Sequence, residues 1–295
     1  MSRAPASNTT VKPWLAADLA DSSAWIVAAD PELASMSSEA LQAWFAPARE
    51  QLLHGYGVVL IRGLSPQPES TFRRLYLALG RCLGTPDGTY GELYDVTDSG
   101  QSHLTKAIPV SQTRAATSMH TDSSRCETHP RWVGLACVQQ APVGGGSRLA
   151  SALAVHDHLK ASDICSLERL HRSFARDVVT PGAVDPLALI AQNRFPVFSA
   201  ENDGPTLRYM RYWIEKGHQR LGQPLEAEDL RAFDALDAAL NAPRFCHSFQ
   251  LQEGDILLID NHKLVHDREA YEDDPQRPRR LIRLWINDVS PKIES

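Results

Sequence analysis

Short runs of apolar and β-branched residues lie on both sides of a helical segment, and this order of elements constrains the fold more than any other feature of the chain. The runs predict strands over residues 57–62, 131–138, 245–251, 256–259 and 279–286. The helical segment is marked by apolar residues at helical spacing, namely Leu225, Leu230, Phe233, Leu236 and Leu240. Because strands and helices do not alternate regularly, the order favours one antiparallel sandwich or barrel over a doubly wound parallel sheet.

Two further helices are predicted near the start of the chain. Apolar residues recur at helical spacing between Ser38 and Gly55, and again between Phe72 and Leu83. Residues 1–35 are polar and aperiodic, which predicts a flexible N-terminal extension. We therefore expect a single domain over residues 36–295, with a helical insertion at about residues 155–245 that covers the mouth of the barrel as a lid.

The charge of the chain argues against nucleic acid and membrane partners. Thirty basic and thirty-six acidic residues are interspersed and give a net charge of −6. No signal-peptide core or membrane-spanning run is present, which predicts a cytoplasmic protein. Five widely spaced cysteines without a C-x-x-C pair predict free thiols rather than disulfides or a cysteine zinc site. The oligomeric state stays open.

His120-Thr121-Asp122 is the first candidate for chemistry. In an extended segment, side chains two residues apart point to the same face, so an imidazole and a carboxylate can meet one metal ion. His266, just after the predicted strand at 256–259, is the candidate third ligand. Two histidines and one carboxylate leave coordination positions open, which suits a non-haem iron oxygenase.

Taken alone, the H-x-D pattern is weak, because such pairs often only cap turns, and other histidines compete with it. His156 and His158 lie in a predicted helix, where side chains two apart diverge. His262 and His266 would suit zinc only in a helix, which the neighbouring β-branched residues argue against. We expect structural or solvated roles for His129, His171, His218 and His247.

Several motifs in one order raise the specificity of this pattern. After His120-Thr121-Asp122 come a Gly-Gly-Gly-Ser segment at 144–147, then Asn261 separated by four residues from His266-Asp267-Arg268, and then Arg279 and Arg283. The stretch from about 57 to 287 resembles the Fe(II)/2-oxoglutarate dioxygenases of the taurine dioxygenase and clavaminate synthase type.

The resemblance implies a mainly β fold with helical decoration, the double-stranded β-helix or jelly roll. It implies that His120, Asp122 and His266 hold Fe(II), that 2-oxoglutarate is the cosubstrate and that O2 is the oxidant. It assigns the far carboxylate of 2-oxoglutarate to Arg279 and the hydroxyl of Ser147. It also places a substrate-binding arginine at Arg283.

Physical chemistry supports these arginine roles. A guanidinium grips a carboxylate through two parallel hydrogen bonds, and a buried guanidinium needs an anion. Arg279 and Arg283 share a strand face, so we expect one to serve the cosubstrate and the other an anionic group of the substrate. Alternatively, Arg279 lies in a solvated basic hairpin, or Arg280 takes its place if the register slips by one residue.

Three positions depart from the family pattern. Ser147 stands where threonine is commoner, which keeps the hydroxyl group. Asp267 replaces the usual glycine and is expected either to be solvated or to pair with Arg268. Met119 occupies a position that is often aromatic. These departures leave the iron chemistry intact and concern the substrate pocket.

The expected reaction is hydroxylation of an aliphatic C–H bond in a small anionic or zwitterionic substrate, such as an amino acid or a natural-product intermediate, with release of succinate and CO2. Asp122 favours hydroxylation, because the related halogenases lack this carboxylate. A strand-like run at 207–213 adds Arg208 and Arg211 as candidate anion contacts. Further candidate pocket residues are Gln112, Ser123 and Trp213.

Two other functions use the same residues. A zinc hydrolase with these three ligands would need a general base and would have no use for Arg279. A non-catalytic jelly-roll binding protein would keep His120 and Asp122 in structural roles only.

Overall fold

The computed structural model describes residues 10–64, 66–101, 110–122, 129–177, 186–201 and 203–288. A larger sheet holds the seven strands β1 (Ile26–Ala28), β2 (Val58–Arg62), β3 (Thr85–Pro86), β4 (Tyr94–Thr97), β5 (Trp132–Gln139), β13 (Ile256–Asp260) and β16 (Arg280–Asn287). Its strand order is β1-β2-β13-β5-β16, and both β3 and β4 pair with the outer edge of β16. All of these pairs are antiparallel except β1 with β2.

A smaller sheet and three two-stranded pairs complete the β structure of the described residues. The smaller sheet has the order β12-β7-β14, from Cys246–Phe249, Ser147–Ser151 and Leu264–Arg268. The two-stranded pairs are β6 (Val143–Gly144) with β15 (Tyr271–Glu272), β8 (Ser173–Ala175) with β9 (Arg194–Pro196), and β10 (Phe198–Glu201) with β11 (Gly204–Leu207).

Helices cover the outer faces of both sheets. The first two are α1 (Ser38–His54) and α2 (Glu69–Leu83). The middle of the chain adds α3 (Ala152–Ser162), α4 (Ile164–Leu170), α5 (Pro186–Gln192), α6 (Arg211–Leu221) and α7 (Ala227–Asn241). Short 3-10 turns occur at Ala16–Leu19, Ser22–Ala24, Leu33–Ser35 and Val110–Gln112.

The core follows from the alternation of side chains along each strand. On β13, Ile256 and Leu258 pack against α1 and α2, whereas Leu257 and Ile259 face the smaller sheet. On β14, Val265 packs among the helices of the middle segment, and Leu264 faces inward. The protein is therefore layered as helices, larger sheet, smaller sheet and helices, and the space between the two sheets is the interior in which the candidate site lies.

Most predicted elements are confirmed. The helices predicted from Ser38 and around 72–83 match α1 and α2, and the runs at 57–62, 131–138, 256–259 and 279–286 match strands of the larger sheet. The prediction of a mainly β fold is wrong, because 38% of the described residues are helical and 27% are in strands. The helical content of the middle segment is higher than predicted. Its helices are buried by packing against the smaller sheet, which the sequence does not show.

The start of the chain also differs from the expectation of a flexible extension. From Thr10 onward the backbone packs against the domain, and Trp14 and Trp25 are buried in the interior cluster. The indole nitrogens of these two residues donate to the carbonyl oxygens of Tyr56 and Leu19. Two isolated tryptophans carry no periodic signal, so their burial was not visible in the sequence.

Within the part of the chain that the structure describes, no helix combines the length and apolar character needed to cross a membrane.

Candidate metal centre and anion site

Three predicted ligands, His120, Asp122 and His266, come together between the sheets. The Nε2 atoms of His120 and His266 lie 3.5 Å and 3.7 Å from Oδ1 of Asp122. One ligand atom from each of the three lies within 4.8 Å of the others. No other such cluster of at least three His, Cys, Asp or Glu residues occurs among the described residues.

Backbone pairing explains how residues so far apart in sequence meet. His120 and His266 exchange two backbone hydrogen bonds of 3.0 Å as an antiparallel bridge, so their side chains project on the same side. Asn261 holds the next turn: its Oδ1 accepts from the Asp122 amide at 2.8 Å, and its Nδ2 donates to the Asp122 carbonyl at 3.2 Å. The side chain of Asn261 is fully buried, which makes this connection rigid.

The ring of His120 is oriented by its own turn. Its Nδ1 lies 2.8 Å from the carbonyl oxygen of Ser118, and a proton on Nδ1 would donate to that oxygen and leave the lone pair of Nε2 for a metal ion. Ser118 has φ 58°, in the left-handed region that residues other than glycine rarely adopt. Such strain clusters at functional sites.

The protonation states fit a divalent cation. Burial, followed by the proximity of His120, lowers the pKa of His266 to about 3, so its imidazole is neutral at pH 7. Burial would raise the pKa of Asp122, but the charge of Arg283 and the proximity of His120 outweigh it and keep this pKa well below its usual range. A neutral imidazole and an ionised carboxylate are the forms that bind metal.

The second oxygen of Asp122 faces other residues. Oδ2 accepts a 2.6 Å hydrogen bond from Nε1 of Trp285 and lies 3.5 Å from a guanidinium nitrogen of Arg283. Arg283 also lies over the rings of Tyr94 and Trp285, at 5.1 Å and 4.5 Å from their centroids. Arg283 is therefore beside the metal centre, next to a cavity lined by Asp87, Tyr90, Gly91, Tyr94 and Trp285.

A second cationic group lies near the start of β16. Arg279 is 1% exposed, and its Nε donates to Gln140 at 3.0 Å. Its guanidinium carbon lies 5.1 Å from the ring centroid of Tyr271, and that of Arg268 lies 4.9 Å from the same centroid. No described carboxylate lies within ion-pair distance of either arginine. An anion bound at this arginine pair, Arg268 and Arg279, would lie next to two cations that no described carboxylate neutralises.

The pKa values of the arginine pair show the same lack of a neighbouring negative charge. Burial, followed by the neighbouring charge of Arg279, lowers the pKa of Arg268 to about 10. Burial also lowers the pKa of Arg279. The guanidinium of Arg268 donates to the carbonyl oxygens of Thr113 and Ala115, which carry no charge.

Ser147 lies beside the arginine pair. It is buried and sits opposite Arg268 in the pairing of β7 with β14. Gly145, two residues earlier, has φ +69°, and a Cβ there would lie 3.1 Å from Nε of Arg279, so the glycine allows the close approach. Arg280, by contrast, points to the other side of the sheet and pairs with Glu69 of α2.

Other predicted residues have different surroundings. Asp267 does not pair with Arg268, because adjacent strand residues face opposite sides; it binds Arg148 instead, with Nε to Oδ1 at 2.8 Å. Met119 packs with the helices. The run at 207–213 is not one strand, since α6 begins at Arg211, whose guanidinium is taken by Glu215, Asp234 and Asp237.

The remaining candidates fall into three groups. Gln112 hydrogen bonds to the hydroxyl of Tyr94 and so lies near Arg283. Arg208 stacks 3.6 Å from the ring centroid of Phe195, and Trp213 lies in α6. Ser123 lies outside the described residues.

Comparison with known proteins gives the geometry its context. The family model described as taurine catabolism dioxygenase TauD, TfdA family, matches residues 18–285. The chain belongs to the TauD/TfdA dioxygenase family. TauD/TfdA dioxygenases depend on Fe(II) and 2-oxoglutarate and consume O2, so this chain is an iron and 2-oxoglutarate-dependent dioxygenase, and neither alternative function is favoured.

Individual TauD/TfdA relatives agree. FR-33289 synthase of Streptomyces rubellomurinus is 31% identical over 255 residues, covering 81% of this chain and 71% of that protein. Uridine-5'-phosphate dioxygenase of Amycolatopsis sp is 28% identical over 243 residues, covering 78% of this chain and 84% of that protein. Gamma-butyrobetaine dioxygenase of Homo sapiens is 26% identical, covering 76% of this chain and 56% of that protein.

Solved structures show the shared fold. The crystal structure of asparagine oxygenase matches with a TM-score of 0.67 and 18% identity, covering 90% of this chain and 93% of that one. The non-haem iron oxygenase OrfP in complex with Fe and alpha-ketoglutaric acid matches with a TM-score of 0.62 and 17% identity, covering 87% and 82%. The mixed sheet-and-helix architecture described above is consistent with a jelly-roll dioxygenase.

Three contributors to the metal centre are not visible in the sequence. Asn261 belongs to a recognised motif and Trp285 to the predicted strand at 279–286, but the amide clamp and the indole hydrogen bond depend on tertiary contacts. Ser118 carries no signal at all, because its left-handed backbone is visible only in the structure.

Proposed function

We propose that this TauD/TfdA enzyme hydroxylates an aliphatic C–H bond of a small carboxylate-bearing substrate, such as an amino acid or a natural-product intermediate, and releases succinate and CO2. The observation that carries this proposal is the convergence of His120, Asp122 and His266 beside Arg283, with the arginine pair also buried in the interior. One group of cations thus serves the cosubstrate and the other the substrate.

His120, Asp122 and His266 are the proposed ligands of Fe(II), through Nε2 of each histidine and Oδ1 of Asp122. Bound iron with 2-oxoglutarate supplies the activation of O2 and the oxidation of the C–H bond. The chain itself positions the reacting groups and excludes water, since His266 and Asp122 are buried between the sheets.

Arg279 and Ser147 are the proposed partners of the far carboxylate of 2-oxoglutarate. Arg279 has a buried guanidinium with no described carboxylate partner, and Ser147 lies opposite Arg268 in the same group. A carboxylate there would offset the cost of burying two cations.

Arg283 is the proposed contact for a carboxylate or similar anion of the substrate. It lies beside the metal ligand Asp122, and Tyr90, Tyr94 and Trp285 line a cleft of about 10 Å³ next to it, which is room for roughly one water-sized group. Proteins similar to this chain are named for uridine 5'-phosphate and gamma-butyrobetaine, and the neighbouring structures contain 3-hydroxyasparagine or hydroxyarginine. Small polar or charged molecules are therefore the first class to test.

The finer architecture belongs to the same proposal. We assign the two facing sheets to a double-stranded β-helix within one domain that extends the predicted range of 36–295 back to the packed residues from Thr10, and the helical insertion at about 155–245 to a lid over the site. We infer a cytoplasmic enzyme, without a nucleic acid or membrane partner.

Succinate release in the presence of amino acids and small carboxylates tests the substrate class. We expect a carboxylate compound to stimulate release, its neutral amide to be far weaker, and Arg283→Gln to remove that preference. Arg280→Gln, on the opposite face, is the matched control and should keep it. Equal stimulation by acid and amide in the wild type would contradict the proposal.

A further inference from the structure

The two oxygens of Asp122 have different surroundings. Oδ1 faces Nε2 of both histidines at 3.5 Å and 3.7 Å. Oδ2 points the other way, accepts from Nε1 of Trp285 at 2.6 Å, and lies 3.5 Å from Arg283. The carboxylate is therefore held with one oxygen toward the metal position and one away from it.

Trp285 is itself held in place from several sides. It pairs with Val133 of β5 in the larger sheet, and its carbonyl accepts from the Asp87 amide at 2.8 Å. The guanidinium of Arg283 lies 4.5 Å from the indole centroid, and the ring of Tyr90 meets it edge-on at 5.6 Å. These contacts fix the direction of the indole N–H.

The chemistry of the indole matters for what this contact can do. Its N–H donates but cannot accept, so Trp285 orients the carboxylate without competing for a metal ion. A hydrogen bond to Oδ2 favours coordination through Oδ1 alone over coordination through both oxygens. Coordination through one oxygen leaves a position open beside the metal.

We propose that Trp285 is a positioning residue for the metal-binding carboxylate, which keeps Asp122 coordinated through Oδ1 only. This inference rests on the proposed function, since it takes Asp122 to be a metal ligand. It goes beyond that function by assigning a role to the indole N–H of Trp285, which donates to Oδ2 of Asp122.

Trp285→Phe tests the inference, because phenylalanine keeps an aromatic ring for stacking but is smaller than the indole and lacks its N–H donor. The matched control is Trp25→Phe, whose indole also donates a buried hydrogen bond, to the Leu19 carbonyl at 3.0 Å, away from the site. Fe(II) affinity is measured without air by competition with a chromophoric chelator. The visible charge-transfer band of the Fe(II) and 2-oxoglutarate complex is recorded in parallel.

We expect Trp285→Phe to weaken Fe(II) binding about 10- to 100-fold, the usual effect of removing an outer hydrogen bond to a metal ligand, and to shift the band. Trp25→Phe should leave both unchanged. The inference is overturned if Trp285→Phe binds Fe(II) with wild-type affinity and an unshifted band, or if Trp25→Phe loses as much.

A second measurement keeps the test informative if Trp285→Phe does not fold. The six tryptophans of the wild type are labelled with 15N in the indole, and Zn(II) serves as a diamagnetic probe. One indole N–H signal should move on adding Zn(II) and should also move in Asp122→Ala. If no signal moves in Asp122→Ala, the inference fails. If Asp122→Ala binds Fe(II) as the wild type does, the proposed function itself fails.

Discussion

The interior holds the partly buried Arg283 on β16 and the buried pair of Arg268 on β14 and Arg279 just before β16, and their charges are balanced differently. Arg283 faces a carboxylate of the chain itself, Asp122, at 3.5 Å. The arginine pair, Arg268 and Arg279, instead flanks the ring of Tyr271 and has no carboxylate partner among the described residues. The charge of Arg283 is therefore balanced within the protein, whereas the charges of the arginine pair would be balanced only by a bound anion.

This difference supports the proposal that the arginine pair binds the cosubstrate. A buried cation without a counter-charge is costly, and burial lowers the pKa of Arg268 to about 10. A carboxylate bound at the arginine pair would restore the balance. Arg283, already next to a carboxylate, can bind a second anion only while sharing its charge with Asp122.

Removal of Asp122, the carboxylate that balances Arg283, should have the largest effect on activity. Asp122→Ala deletes a metal ligand and leaves Arg283 without its counter-charge, so substrate-stimulated succinate release should fall by more than about 10³-fold. Release is measured over a titration of Fe(II). Full recovery at high Fe(II) would show that Asp122 only supports the site.

Arg279→Ala should weaken the binding of 2-oxoglutarate, because it removes one cation of the arginine pair. Loss of two charge-assisted hydrogen bonds of about 1.5 kcal/mol each should raise the KM for 2-oxoglutarate roughly 100-fold. Arg280→Ala, which loses only the pair with Glu69 on the opposite face, should leave that KM unchanged. The reverse result would mean that the register of β16 is shifted by one residue.

Substitution of Ser147 should have a smaller effect on the binding of 2-oxoglutarate. Ser147→Ala removes one hydroxyl hydrogen bond to a charged group and should raise the KM for 2-oxoglutarate about tenfold. Ser147→Thr keeps the hydroxyl and should behave as the wild type. Equal KM values for the alanine and threonine variants would exclude Ser147 from the cosubstrate site.

Asp267 should have the smallest effect on catalysis. Its carboxylate pairs with Arg148 on the face opposite His266, so Asp267→Ala should lower the free energy of unfolding by about 1–2 kcal/mol. Chemical denaturation measures this loss, while kcat and both KM values should stay the same. A change in the KM for 2-oxoglutarate would place Asp267 in the site after all.

The sequence predicted the ligand set and most strands because these depend on local alternation. His120 and Asp122 are two apart in an extended segment, and Leu257 and Ile259 alternate with Ile256 and Leu258 on β13. The sequence alone also argues against a pair between Asp267 and Arg268, since neighbouring strand residues cannot share a face.

The parts that the sequence could not predict depend on contacts between distant segments. Trp14 and Trp25 are buried because the first residues pack onto the domain. Arg211 looked like a strand residue because apolar and polar residues alternate near it. It begins α6 because Glu215, four residues later, and two carboxylates of α7 neutralise it.

Anomalous diffraction at the iron edge, from crystals grown without air with Fe(II) and 2-oxoglutarate, is the most direct test of the account. We predict one iron peak at about 2.1 Å from Nε2 of His120, Nε2 of His266 and a single oxygen of Asp122, with the far carboxylate of 2-oxoglutarate on Arg279. An iron peak away from these three residues, or 2-oxoglutarate bound elsewhere, would contradict it.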